Sequence, residues 1–154
     1  MRKCLNKKML LVALVVILLD YITKFMAAKY LLHSGSVCLI SSFLYLTLVK
    51  NTGVAFSFLE GRMVLIIICT VVILGGILKY TMVQKMDMFS NFAYGFIIGG
   101  AVGNLIDRVV RGYVIDFIDI YIFGYNYPIF NVADIAVVVG VCMLLFVSFK
   151  KEGG

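Results

Sequence analysis

Asp116 and Asp134 are the side chains best suited to chemistry in this 154-residue chain. Both lie in Gly99–Asp134, GGAVGNLIDRVVRGYVIDFIDIYIFGYNYPIFNVAD, with half of the eight acidic residues, the apolar-flanked Asn104 and Asn131, and the only proline, Pro128. Polar groups this dense among lipid-compatible segments are costly to keep and mark a working site. Two carboxylates sharing a site cannot both ionise easily, so one holds a proton while the other takes one from water. Such a pair hydrolyses a peptide without metal or covalent nucleophile. The carboxylate activates water against the carbonyl, and the acid protonates the carbonyl oxygen. Each residue also has a plainer reading. Asn131 followed three residues later by Asp134 is a helix-start pattern favoured by the macrodipole, and Asp116 could be a carboxylate on an exposed loop. Spacing alone leaves both readings open.

Other polar residues are weaker candidates. Asp107 beside Arg108 is an alternative dyad member, or an interfacial anchor whose guanidinium holds the acid ionised. Asp20 and Lys24 stand at i, i+4 with the acid first, the favoured helical pairing, which would anchor the fold or orient the site. Asn51, Asn104 and Asn131 could satisfy backbone groups of a substrate, although Asn51 also suits a turn. Several chemistries drop out. His33 is the only histidine, so no HExxH or multi-histidine metal site exists, and no GxSxG elbow occurs. Cys4, Cys38, Cys69 and Cys142 form no CxxC, which argues against zinc and thioredoxin-type sites, and Cys69 and Cys142 read as small buried apolar residues. The glycines of GGAVGN lack the strand and lysine of a phosphate loop and read as helix packing. No cofactor and no metal are expected.

The elements that must position these residues are built for lipid. The chain is 63% hydrophobic and 14% charged, with a mean hydropathy of +1.07, outside the range of a soluble domain. A single membrane-embedded domain, residues 1–154, is expected. Four spans are predicted at about 9–30, 63–80, 92–110 and 131–149, each near the ~20 residues that cross a bilayer. Residues of about 31–62 and 111–130 form the outer segments. The basic start MRKCLNKK resembles a secretory signal, but Asp20, Thr23 and Lys24 follow the apolar run where a small-residue cleavage site would be, so an uncleaved first span is expected. Even numbering places both termini on one side. Putting them in the cytoplasm gathers Arg2, Lys3, Lys7, Lys8, Lys79, Lys85, Lys150 and Lys151 there, the positive-inside bias. Asp20, Glu60, Asp107, Asp116, Asp119 and Asp134 then gather at the outer face. The net charge of +6 is scattered singly or at span ends, with no aromatic-interleaved basic stripe. This fits lipid headgroups and argues against nucleic acid.

Between the spans, Phe43–Lys50 (FLYLTLVK) and Tyr113–Ile122 (YVIDFIDIYI) are strand-like, and NTG at Asn51–Gly53 signals a turn before an extended VAFSF. The fold class is an all-α membrane protein of four transmembrane helices with a small extracytoplasmic β-sheet, or cradle, on the outer surface. On a strand, Asp116 and Asp119 point to opposite faces and do not act together. Gly95, Gly99 and Gly103 form a small-residue stripe for close helix approach, with Gly100, Asn104 and Arg108 on the adjacent face.

Five blocks in order, DYITK (Asp20–Lys24), NTGVAFS (Asn51–Ser57), GGAVGNLIDR (Gly99–Arg108), VIDFI (Val114–Ile118) and FNVAD (Phe130–Asp134), resemble the bacterial lipoprotein signal peptidases (signal peptidase II), integral-membrane aspartyl proteases. The resemblance implies that Asp116 and Asp134 are the catalytic pair. It implies roles around the dyad and substrate for Asp20, Lys24, Asn51, Gly100, Asn104, Asp107, Arg108 and Asn131. The implied substrate is a prolipoprotein carrying diacylglycerol on its lipobox cysteine and cleaved just before it. The implied setting is the bacterial cytoplasmic membrane, with the site at the extracytoplasmic face, membrane lipids as neighbours, a monomeric state, and inhibition by globomycin-type cyclic peptide antibiotics. One departure is Ile135, where many relatives place serine, which puts one local hydrogen bond in doubt.

A reading from another class is a small ion-coupled transporter, since intramembrane acids often mark ion paths. A transporter would place its key acid near the midplane, commonly with inverted repeats. Here the acids gather at one end and no repeat is visible.

Overall fold

The computed structural model describes residues 5–53 and 61–152. The expected extended stretch VAFSF and Glu60 fall outside them, as does Cys4. Four helices, α1 (Lys7–Leu31), α2 (Met63–Val83), α3 (Met88–Arg111) and α4 (Val132–Glu152), are long and apolar enough to cross a membrane. Each extends past its sequence-predicted span at one end or both, and at Lys7, Ser90, Asn91 and Lys150 it is polar residues that continue the helix. Asn6 caps α1 by accepting from the Lys8 amide at 2.9 Å, Asp87 caps α3 by accepting from the Ser90 amide at 2.7 Å, and Gly112 ends α3 in the left-handed region at φ 76°.

The buried face of α1 is narrow: Met9, Ala13, Val16, Asp20, Lys24, Ala27 and Leu31 recur at three- and four-residue steps. That stripe packs on α3, which also carries most of the contact with α4. The glycine stripe explains the close approach. A Cβ on Gly99 would lie 2.7 Å from Val16 Cβ, and one on Gly95 2.8 Å from the Met9 carbonyl. The remaining surfaces of the helices expose Leu, Val, Ile and Phe, as a lipid-facing exterior should. Cys69 and Cys142 lie on that exterior and not in the interior expected for them; in a bilayer a small apolar thiol needs no protein partner.

The sheet is antiparallel, in the order β1 (Ser36–Ile40), β2 (Leu44–Asn51), β3 (Val114–Ile122), β4 (Tyr125–Asn126). The two predicted strands are β2 and β3. The short β1 and β4 add an edge on either side. Val49 pairs with Asp116 and Asn51 with Val114, so the start of β3 lies against the end of β2. Ile115 and Phe117 pack on Ala27 and Leu31 at the end of α1, which seats the sheet on the bundle. From β4 the chain returns beside β3, with Phe130 bridging Ile118, and enters α4 at Asn131.

Candidate active site

Asp134 lies in the first turn of α4. Its amide donates to Asn131 Oδ1 at 3.0 Å, and the Asn131 amide donates to Asp134 Oδ2 at 3.1 Å. This is a reciprocal helix-capping exchange, the plainer reading of the sequence. The other end of the same side chain does something more. Asn131 Nδ2 donates to Asp116 Oδ1 at 2.6 Å, so one fully buried asparagine touches both carboxylates. Asp116 reaches this point from β3. Its second oxygen accepts from Asn51 Nδ2 at 2.8 Å, and Asn51 is fixed in turn by its Oδ1, which accepts from the Gly53 amide at 2.9 Å. Sheet and helix therefore deliver one aspartate each to a shared asparagine.

A buried ion cluster lies beside the pair. Lys24 Nζ meets Asp20 Oδ2 at 2.7 Å and Asp107 Oδ2 at 3.1 Å, and donates to Asn104 Oδ1 at 2.9 Å. Removing such charges from water is offset only when every partner is in place. Here they are. Asp20 Oδ1 accepts from the Ala133 amide at 2.9 Å, next to Asp134, and Asp107 accepts from the Ile115 amide at 3.3 Å, next to Asp116. Asn104 joins the cluster to the two aspartates, its Nδ2 donating to Asp134 Oδ1 at 2.8 Å and its Oδ1 accepting from Asn131 at 3.2 Å. Gly103 leaves room for this: a Cβ there would lie 2.6 Å from Asp20 Oδ2. At Gly100 a Cβ would collide with the Ala133 carbonyl, so the missing side chain lets α4 seat Asp134 against α3.

Asp107 and Arg108 are not paired with each other. Successive residues diverge around a helix, and Asp107 turns to Lys24 and to Arg111, four residues on, at 3.3 Å. Arg111 goes beyond the sequence reading, although its i, i+4 spacing from Asp107 is the signal that finds it. Arg108 is buried and donates to the carbonyls of Gly53 at 3.1 Å and Asn104 at 3.4 Å, leaving its Nε with no hydrogen-bond partner among the described residues. The structure thus brings Asp20, Lys24, Asn51, Asn104, Asp107, Asp116, Asn131 and Asp134 into one network, with Arg108 tied to it through Asn104 and Gly100 supporting it through packing. Asp119 is separate. It accepts from Thr47 Oγ1 at 2.8 Å and shares no partner with Asp116 among the described residues, in keeping with their spacing on a strand.

The electrostatics distinguish the two aspartates. Asp116 is 2% exposed. Burial pushes its carboxyl up to about 6, with the Asp134 charge acting in the same direction, while hydrogen bonds from Asn51 and Asn131 and the Lys24 charge oppose the rise. Asp134 is half-buried, at the positive end of α4, with N–H donors on both oxygens. Burial therefore favours a proton on Asp116. The acids of the network stand together where the sheet meets the bundle, and the ion-coupled transporter reading finds no support.

The family model of signal peptidase (SPase) II matches residues 12–150. The chain is 46% identical over 143 residues to a lipoprotein signal peptidase of Halalkalibacterium halodurans, covering 92% of each protein. It is 44% identical over 139 residues to one of Caldanaerobacter subterraneus subsp. tengcongensis, covering 90% of this chain and 93% of the relative. Among solved structures, a bacterial membrane enzyme determined by the in meso method at 2.3 Å resolution superposes with a TM-score of 0.86 at 34% identity, over 99% of this chain and 94% of the other. A second, at 1.9 Å resolution, gives 0.86 at 35% identity over 97% of each.

Proposed function

Because the chain belongs to the signal peptidase II family, we propose that Asp116 and Asp134 are the dyad of an aspartic endopeptidase. The protein is a multi-pass bacterial membrane protein that removes signal peptides from prolipoproteins. The observation that carries the proposed chemistry is Asn131, whose one side chain holds Asp116 at 2.6 Å and caps against Asp134. In the free enzyme the two aspartates share one proton, which burial of Asp116 favours on that carboxyl. Asp134 takes a proton from a water as that water attacks the scissile carbonyl, and Asp116 donates to the carbonyl oxygen. Collapse of the tetrahedral species, with proton return to the leaving amine, completes hydrolysis. Asn51 and Asn131 aim Asp116, and Asn104 aims Asp134. The Arg108 Nε, which has no hydrogen-bond partner among the described residues, donates to a substrate carbonyl.

The substrate reading is a prolipoprotein whose lipobox cysteine already carries diacylglycerol, cut just before that cysteine. Acyl chains that remain in the bilayer hold the scissile bond at the membrane surface, and their burial supplies binding energy remote from the reacting bond. We place the sheet and dyad at the extracytoplasmic face, both termini in the cytoplasm, and residues 1–154 in one peptidase domain acting as a monomer. Globomycin-type cyclic peptides compete for the same site. The test is a gel-shift assay on a diacylglyceryl-modified precursor, with unlipidated precursor as control. D116N or D134N should lose about 10²–10⁴-fold in rate while still inserting into the membrane. Near-normal processing by either purified variant sinks the assignment.

A further inference from the structure

The end of the sheet farthest from the dyad has a chemistry of its own. Leu44 pairs with Ile120, and the Tyr121 amide donates to the Phe43 carbonyl at 2.8 Å. The β1–β2 turn and the β3–β4 turn therefore lie side by side, while Asn51 and Val114 mark the opposite end. The distal end is apolar and open. Ile40, Phe43, Ile122 and Tyr125 are all exposed, and Phe123, at 106%, is as exposed as a side chain in an extended peptide. Phe123 also sits in the left-handed region at φ 49°, followed by Gly124 at φ 81°. A hairpin turn of this kind is cheapest with Asn or Gly at its first central position, and a bulky residue there is uncommon. The fold thus holds an aromatic ring outward, at a conformational cost, where no protein group described here covers it.

The stretch around the tip shows what would cover it. From Ile120 to Ala133 the chain has no charged residue but five aromatic ones, Tyr121, Phe123, Tyr125, Tyr127 and Phe130. Tyrosine-rich, uncharged segments are the chemistry of the membrane–water interface. This segment is also continuous with the bilayer, because it joins the span ending at Arg111 to the span beginning at Val132. Phe123 lies five residues beyond the Ile118–Phe130 bridge, about 17 Å at the rise of a strand. Phe117 and Ile115, packed on the end of α1, seat the sheet directly on the bundle.

We propose that the distal end of the sheet, led by Phe123, inserts into the headgroup region of the leaflet that carries the sheet and moors the sheet to the bilayer. The occupant is lipid, not substrate, so the contact exists in the resting protein. It depends on the membrane spans but not on the peptidase reading.

The chain contains no tryptophan, so F123W makes a single-indole reporter. In vesicles without substrate, its emission should be blue-shifted and largely lost with lipids brominated near the headgroup, and acrylamide in the water should barely reach it. An indole quenched by acrylamide and untouched by brominated lipid overturns the proposal. So does lipid quenching that begins only when a diacylglyceryl-modified precursor is added. A second variant, F123N, removes the ring and suits the turn. Its thermal midpoint in detergent should be retained, while amides of Ile122–Tyr127 exchange several-fold faster than wild type in vesicles. Equal protection of those amides in both proteins also overturns it.

Discussion

The two middle spans, α2 and α3, are opposites in how they use the membrane. α2 is apolar almost throughout, with only 11% of its spanning stretch buried, and its glycine pair Gly75–Gly76 faces open space. α3 is 44% buried, and its interior face carries Ser90, Asn91, Asn104, Asp107 and Arg108. In water the more apolar helix would be the inner one. In a bilayer lipid already satisfies apolar side chains, so burial follows polarity and small residues. α3 is the inner helix because its polar groups must find partners there, and those partners lead to Asp116 and Asp134.

That contrast can be broken most severely at Lys24. In Lys24→Met two buried carboxylates lose their shared cation, a loss of about 3–5 kcal/mol by analogy with other buried pairs. Detergent thermal unfolding should show a sharply lowered midpoint, and a wild-type midpoint would mean that the cluster is not structural. The next effect is on pH dependence. The Asp116 carboxyl is raised from an ordinary 3.8 to about 6, so the folded protein holds this proton more tightly than the unfolded chain. Protonation therefore favours the fold between those values, and the contribution declines as pH rises through about 6. The protonated Asp116 that the proposed dyad needs is depleted as pH rises past about 6. Above pH 6, kcat/KM for the lipidated precursor should fall about tenfold per pH unit until another step limits it. A flat profile from pH 5 to 8 would remove Asp116 as the proton holder.

The glycines give the smaller and sharper contrast. Gly103→Ala drives a methyl to 2.6 Å from Asp20 Oδ2, and overpacking of this kind costs about 1–3 kcal/mol. Gly75→Ala in α2 meets nothing within 4 Å and should be neutral or stabilising by up to about 1 kcal/mol, the helix preference for alanine. Thermal midpoints of the two variants decide it. Equal shifts would mean that α2 and α3 do not differ as described.

Much of this was legible in the sequence, because in a membrane protein polar residues are few and each needs a reason. The four spans, the Asp20–Lys24 pair, the strand positions of Asp116 and Asp119, and the capping of Asp134 by Asn131 all follow from periodicity or local spacing. What spacing could not supply was the joining of distant segments. That Asn131 turns its free amide to Asp116, that Asn104 links Lys24 to Asp134, and that Asp107 answers Lys24 instead of Arg108 depend on how α1, α3, α4 and β3 meet. The lipid-facing cysteines were misread for a related reason: an apolar residue in a span has two apolar destinations, and its type does not choose between them. The strands β1 and β4 are too short to announce themselves.

The central claim is that Asp116 and Asp134 act as one catalytic unit. Its most direct test is the single-turnover cleavage rate of a diacylglyceryl-modified precursor by D116N, D134N and the double variant. Groups that act as a unit give single losses about as large as the double loss. The account predicts that pattern, with all three rates near background. Two partial losses that multiply in the double variant would contradict it.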